Sequence, residues 1–270
     1  MTPDHARAAR ELLAFYAEAG VDASLGEQPL DRLSAAQIEK APAAPAPRTV
    51  EAPHVAPPPR AAPDGAPAAP EVAVMAAREA ARSAASLHEL RDILMKFEGC
   101  ALRTTAKQLV FADGNPQARV MFVGEAPGRE EDLEGLPFVG RSGKLLDLMI
   151  AAIGLDRGGA YIANIIPWRP PGNRTPTPQE SQICLPFIQR QIELANPDVL
   201  VCLGGPASQT LLGVKEGIKR TRGRWFAFHT GTREIRAIAT FHPAYLLRSP
   251  LEKRFAWRDF VAIRKALSEA

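Results

Sequence analysis

The sequence predicts a three-layer α/β/α domain built on a mostly parallel sheet. Three apolar runs of strand length carry that reading: RVMFV at 119–123, YIANII at 161–166 and DVLVCL at 198–203. Strands buried on both faces read as continuous apolar runs, the mark of parallel sheets covered by helices. Stretches with helical spacing lie between them, and such alternation implies crossovers that put helices on both faces. Polar motifs follow the strand ends, where sheets of this kind bind their ligands.

Residues 5–19 read as an amphipathic helix, with Leu12, Leu13 and Tyr16 at helical spacing and Gly20 as its stop. Ten of the 25 prolines fall between Pro42 and Pro70, mixed with alanine. That stretch lacks both backbone donors and the apolar area of a core, so it reads as a semi-rigid linker. The predicted organisation is an N-terminal helical segment over 1–40, a Pro/Ala-rich linker over 41–74 and a globular domain over 75–270.

The globular part opens on a helix expected over Ala76–Phe97. RVMFV ends at Gly124, and Gly143–Ile153 places Leu145, Leu146, Met149, Ile150 and Ile153 on one helical face. Thr177-Pro178-Gln179-Glu180 is a capping box with proline at the first helical position. Trp225–Phe228 and Glu234–Thr240 flank His229-Thr230-Gly231-Thr232 as a hairpin-like pair, and Arg254–Leu267 is a last helix.

With 270 residues, 46% of them apolar, the chain can build one large or two small domains. A net charge of +3 and a pI of about 8.9 permit nucleic-acid binding without arguing for it. Cys100, Cys184 and Cys202 are too sparse for a disulfide scaffold and point to a reducing, cytoplasmic compartment. No apolar run reaches the ~18 residues of a membrane span. The first residues, with Asp4, Glu11 and Glu18, lack the apolar core of a secretory signal.

Four motifs carry chemistry. Gly124-Glu125-Ala126-Pro127-Gly128 follows the first strand, and its glycines let backbone approach a ligand, although an ordinary turn reads the same way. Leu136-Pro137-Phe138-Val139-Gly140-Arg141-Ser142-Gly143 offers an aromatic that can stack on a flat base or simply staple its loop. Asn164 lies late in an apolar strand, where its amide can read a base edge or satisfy backbone. Phe241-His242-Pro243-Ala244-Tyr245-Leu246-Leu247-Arg248 offers a donor for developing charge and apolar residues for a base stack. Five of the ten residues from Lys215 to Arg224 are basic, which suits phosphate contact or a solvated loop.

In type and order these motifs resemble the uracil-DNA glycosylase superfamily, most closely its family 4, whose members usually carry an iron–sulfur cluster. The resemblance covers about residues 90–267 and includes GEAPGREED, GLPFVGRSGKLLD, YIANIIPWRPPGNRTPTPQE, CLPF, VLVCLG and FHPAYLLR. It implies a central, mostly parallel four-stranded sheet. It also implies hydrolysis of the N-glycosidic bond of uracil, or of another deaminated base, flipped out of DNA. Phe138 would stack on the base, Asn164 would bond its O4 and N3 edge, and His242 would bond O2. Glu125 would lie near the sugar, with Ala126 and Gly128 beside the uracil. Leu246 would fill the space the base leaves, and Leu247, Arg248, Arg141, Lys219, Arg220 and Arg222 would meet the DNA. These roles suit the chemistry. The base must leave the stack, bond breaking makes uracil negative and the sugar positive, and donors and a carboxylate favour those charges. Uracil-containing DNA is the expected partner of a monomeric enzyme in a bacterial cytoplasm.

Two departures from the family stand out. Its four cluster cysteines correspond here to Cys100, Arg103, Trp168 and Cys184, so two ligands are gone and Cys202 lies within an apolar strand. Such clusters are held by four thiolates, so none is expected here. Arg129 replaces a residue that is often acidic. A branch that cross-links itself to DNA carries an insertion after its G-E-x-P-G motif, but here Gly128 runs directly through Arg129–Leu136, so turnover is expected. The competing readings are a non-catalytic DNA-binding protein with a degenerate glycosylase fold and a small-nucleotide hydrolase, and against the latter the basic loop and Leu246-Leu247 favour polymeric DNA.

Overall fold

The computed structural model describes residues 70–269, so the helix expected at 5–19 and the linker up to residue 69 lie outside the described residues. Helix α1 spans Pro70–Ser83 and so begins inside the segment expected to be linker. Its alanines Ala73, Ala77 and Ala81 recur every four residues and are buried. Small side chains on that stripe bring α1 close against α6 (Pro178–Ala195).

The single helix expected over 76–97 is two, because α2 (Leu87–Lys96) has its own cap. Glu89 N–H donates to Ser86 Oγ at 3.2 Å, and Ala85 N–H donates to the Glu89 carboxylate at 2.7 Å. Ser86 is thus the N-cap, and Glu89 reaches back past it to Ala85, a start signal legible in the sequence as Ser86-Leu87-His88-Glu89.

The chain continues through α3 (Leu102–Thr105), β1 (Asp113–Gly114), β2 (Val120–Gly124), α4 (Arg129–Glu134), α5 (Arg141–Ala151) and β3 (Tyr161–Asn164). After α6 come β4 (Val199–Leu203), α7 (Gly205–Leu212), α8 (Ile218–Thr221), β5 (Trp225–His229), β6 (Glu234–Thr240), α9 (Pro243–Arg248) and α10 (Lys253–Glu269). The capping box at α6 forms as read, with Glu180 N–H donating to Thr177 Oγ1 at 3.2 Å and Thr177 N–H donating to Glu180 at 2.7 Å.

The sheet has six strands in the order β1-β3-β2-β4-β6-β5, not four. Its four central strands, β3, β2, β4 and β6, are parallel. The two extra strands are antiparallel edges: β1 adds two residues to β3, and β5 closes the expected hairpin onto β6. A two-residue strand containing glycine leaves no periodic trace in a sequence.

Alternation along each strand divides the core in two. Met121, Val123, Leu200 and Cys202 face the layer that includes α1, α2 and α6, with Leu90, Leu94, Phe187 and Ile192. Phe122, Ile162, Val201 and Ile238 face the α5 and α10 layer, with Leu146, Ile150, Phe260 and Ile263. Among the described residues, no helix is long and apolar enough to cross a membrane.

Candidate active site

Strand β2 has β3 on one side and β4 on the other, so the chain turns opposite ways from neighbouring strand ends and opens a crevice there. A cavity of about 600 Å³ fills it, lined among others by Glu125, Phe138, Asn164, Gly204, His242 and Arg248. Glu125 follows β2, Asn164 ends β3, Gly204 follows β4 and His242 caps α9 just beyond β6. Strand register sets the spacing, with Gly124 beside Asn164 and Leu203 beside Thr240. Ala126 and Gly128 line the same cavity.

Gly124 must lack a side chain. A Cβ there would sit 2.6 Å from Phe138 Cζ and nearer still to Asn164 Oδ1. Gly204 has φ +94, and a Cβ on it would stand 3.0 Å from that of His242. The Phe138 and His242 rings lie 5.4 Å apart, tilted by 30°. Asn164 is buried, and its Oδ1 is the buried side-chain polar atom among the described residues that has no partner. Buried acceptors are nearly always paired, and leaving one unpaired costs about 1–3 kcal/mol, so this one is suited to a donor brought by a ligand.

His242 Nδ1 accepts from Ala244 N–H at 3.1 Å. That bond places the ring proton on Nε2. Burial, with a smaller contribution from the Arg248 charge, lowers the His242 pKa to about 4, so the neutral tautomer is the form present near pH 7. Burial acts oppositely on the half-buried Glu125, raising its carboxyl above the ordinary value.

Glu131 was not singled out by sequence reasoning. Its buried carboxylate accepts from Gly128 N–H and from Gly140 N–H, each at 3.0 Å. One side chain thereby ties the loop bearing Glu125 to the loop bearing Phe138. The signal was present as Glu three residues after Gly128, the third helical position of a cap built on glycine. Arg129 starts α4 in an exposed position, and nothing in the structure explains its charge.

Two of the expected DNA contacts face inward in the structure. Leu246 is 1% exposed, packed with Phe241 and Ala256 on the inner face of α9. It is already committed to the core, whereas its neighbour Leu247 is 36% exposed. Arg222 forms a two-pronged ion pair with buried Asp259 and donates to Phe255 O at 2.9 Å, which directs it inward. Asp259 also accepts from Thr240 Oγ1 at 2.7 Å, bracing the strand end before His242. Arg141, Lys219, Arg220 and Arg248 are exposed, with Lys219 3.4 Å from Glu252. Ile218, at the start of α8, lines the cavity and so brings that basic segment to its rim.

Of the four residues that the resemblance sets against cluster ligands, Cys184 donates to Cys100 Sγ at 4.0 Å, and both thiols are buried. That bond holds the Cys100 thiol below its ordinary pKa and raises that of Cys184. Trp168 is 2% exposed and packs in the same core. Arg103 turns to the end of α2, donating to Met95 O at 3.0 and 3.2 Å, with Glu98 at 3.8 Å. Burial pushes the Cys202 thiol up to about 12, away from the thiolate a cluster needs. Two thiols, an indole and a guanidinium turned to a carbonyl do not fit a four-thiolate cluster. Among the described residues no group of three or more His, Cys, Asp or Glu converges as a metal site.

Residues 111–262 match the family described as the Uracil DNA glycosylase superfamily. The chain is 40% identical to the Type-4 uracil-DNA glycosylase of Archaeoglobus fulgidus over 182 residues, 66% of this chain and 92% of that protein. It is 44% identical to that of Thermotoga maritima over 155 residues, 57% of this chain and 79% of that protein. For that of Saccharolobus solfataricus the identity is 37% over 188 residues, 68% and 87% of the two chains. The motifs at the strand ends, the crevice they line and these matches agree, and the chain belongs to the uracil DNA glycosylase superfamily.

Proposed function

We infer that this protein is a uracil-DNA glycosylase that hydrolyses the N-glycosidic bond of uracil flipped out of DNA and leaves an abasic site for base excision repair. The observation that carries the reading is the unpartnered, buried Asn164 Oδ1 in a cavity that also holds Phe138 and the neutral His242. Uracil presents a donor at N3 and an acceptor at O4, matching the two ends of the Asn164 amide. Cytosine presents the reverse and leaves both unpaired.

Phe138 stacks on the base. His242 donates from Nε2 to O2, where negative charge builds as the bond breaks. Glu125 faces the developing oxocarbenium and draws water to the sugar. With Leu246 in the core, the exposed Leu247 takes the wedge position. Arg248, Arg141, Lys219 and Arg220 meet phosphates, and the enzyme acts as a monomer.

Uracil release from labelled single-stranded and duplex oligonucleotides tests the reading. Free uracil and an abasic site are expected. Tight binding without release would favour the non-catalytic alternative.

The pH dependence follows from the two shifts. His242 stays neutral on acidification until about pH 4, so single-turnover release should show no inflection near 6.5. Its acid limb should come from Glu125, raised above its ordinary 4.5. The unfolded chain binds a proton at this histidine near 6.5 and the folded chain does not. Stability from His242 is therefore present above 6.5 and is lost as pH falls toward 4. A rate inflection at 6.5 that disappears in a His242 variant would overturn the assignment of the neutral form.

The protein works without an iron–sulfur cluster. The packed Trp168 and the anchored Arg103 replace metal ligation and leave the active site intact. Trp168→Ala should destabilise the fold by roughly 3–5 kcal/mol, the range for truncating a buried aromatic, as read by denaturant melts. A loss below 1 kcal/mol would show that the indole does not hold this region. Because α1 starts at Pro70 and packs on α6, the catalytic unit begins there, and protein lacking residues 1–69 should release uracil at the full rate.

A further inference from the structure

Phe138 carries an unusual backbone. Its φ is +55, a left-handed conformation that non-glycine residues seldom adopt. Such a residue persists only where its surroundings over-determine it. Two features fix this one. Gly143 leaves room for the Phe138 carbonyl, since a Cβ there would collide with that oxygen. Arg157 supplies the donors: Nη2 to the Phe138 carbonyl and Nη1 to the Pro137 carbonyl at 3.2 Å.

Arg157 is itself held from two sides. Its Nε donates to Asp147 on α5 at 2.8 Å, and its Nη1 donates to Asp113 on β1. The guanidinium therefore joins the sheet edge, α5 and the loop of the stacking aromatic. It lies outside the cavity lining. The planar five-donor fork is what lets one side chain serve two carboxylates and two carbonyls, and the compact ammonium of lysine lacks that geometry.

We propose that Arg157 is a positioning residue for base stacking, which holds Phe138 in the left-handed conformation that presents its ring to the flipped uracil. This rests on the reading of Phe138 as the uracil platform. Releasing strain of this kind corresponds to roughly 5- to 150-fold in an equilibrium.

The test is a double-mutant cycle on single-turnover uracil release, with Arg157→Gln, Phe138→Ala and the pair together. Arg157→Gln alone should slow release by about 10-fold or more and add no further loss in the Phe138→Ala background. Arg157→Lys keeps the charge for Asp113 and Asp147, so it should melt near wild type yet share the kinetic loss, which keeps the test open if Arg157→Gln folds poorly. Additive losses in the double variant would overturn the proposal and leave the role of Phe138 standing. Full activity in Arg157→Lys would also overturn it, because charge pairing alone would then suffice. An unchanged rate in Phe138→Ala would sink the stacking reading and this proposal with it.

Discussion

His242→Ala is expected to lower single-turnover uracil release by ~10²–10³, the range for removing one donor aimed at a developing oxyanion. The geometry says why the loss should fall on the chemical step. Nδ1 is occupied by Ala244 N–H, so Nε2–H is the free donor, and burial keeps the ring neutral. A neutral donor gains more as charge develops on uracil than it gains from the ground-state carbonyl. DNA affinity should therefore change little while the rate collapses. The His242 side chain also caps α9, so a melt must accompany the kinetics. Near-wild-type release by a folded His242→Ala protein would remove the histidine from the chemistry.

Asn164→Asp should have an effect of similar size or larger, at least ~10²-fold, because sites built around a hydrogen-bonding group reject the wrong partner strongly. The amide now offers a donor end and an unpartnered acceptor, Oδ1, on a buried residue. A carboxylate sets an acceptor against uracil O4 and brings a buried charge with no partner. Uracil release should fall, and cytosine, which brings a donor at N4, should be released above the wild-type level. Competition between uracil- and cytosine-containing oligonucleotides reads both effects at once. Unchanged uracil release would show that Asn164 serves only the fold.

The parallel core was legible because β2, β3 and β4 are contiguous apolar runs, and their carboxyl ends place Glu125, Asn164 and Gly204 together. What escaped the sequence depends on contacts between distant residues or on which way a short helix turns. Leu246 and Leu247 are neighbours of one kind, and only the packing of α9 puts the first inside and the second at the surface. Arg222 reads as one of five clustered cations, and its partner Asp259 is 37 residues away. Arg157 reaches Phe138 across 19 residues. Two features were written locally and not read: the Ser86 N-cap, with Glu89 three residues on, that splits the first helix pair, and Glu131 three residues after Gly128.

The most direct test of the central claim is uracil release by protein purified and assayed in chelator, with iron and acid-labile sulfide determined on the same sample. Colourless protein without iron or sulfide that turns over uracil-containing DNA is expected. Brown protein with about four irons per chain would contradict it, as would metal-free protein that binds DNA and releases no uracil.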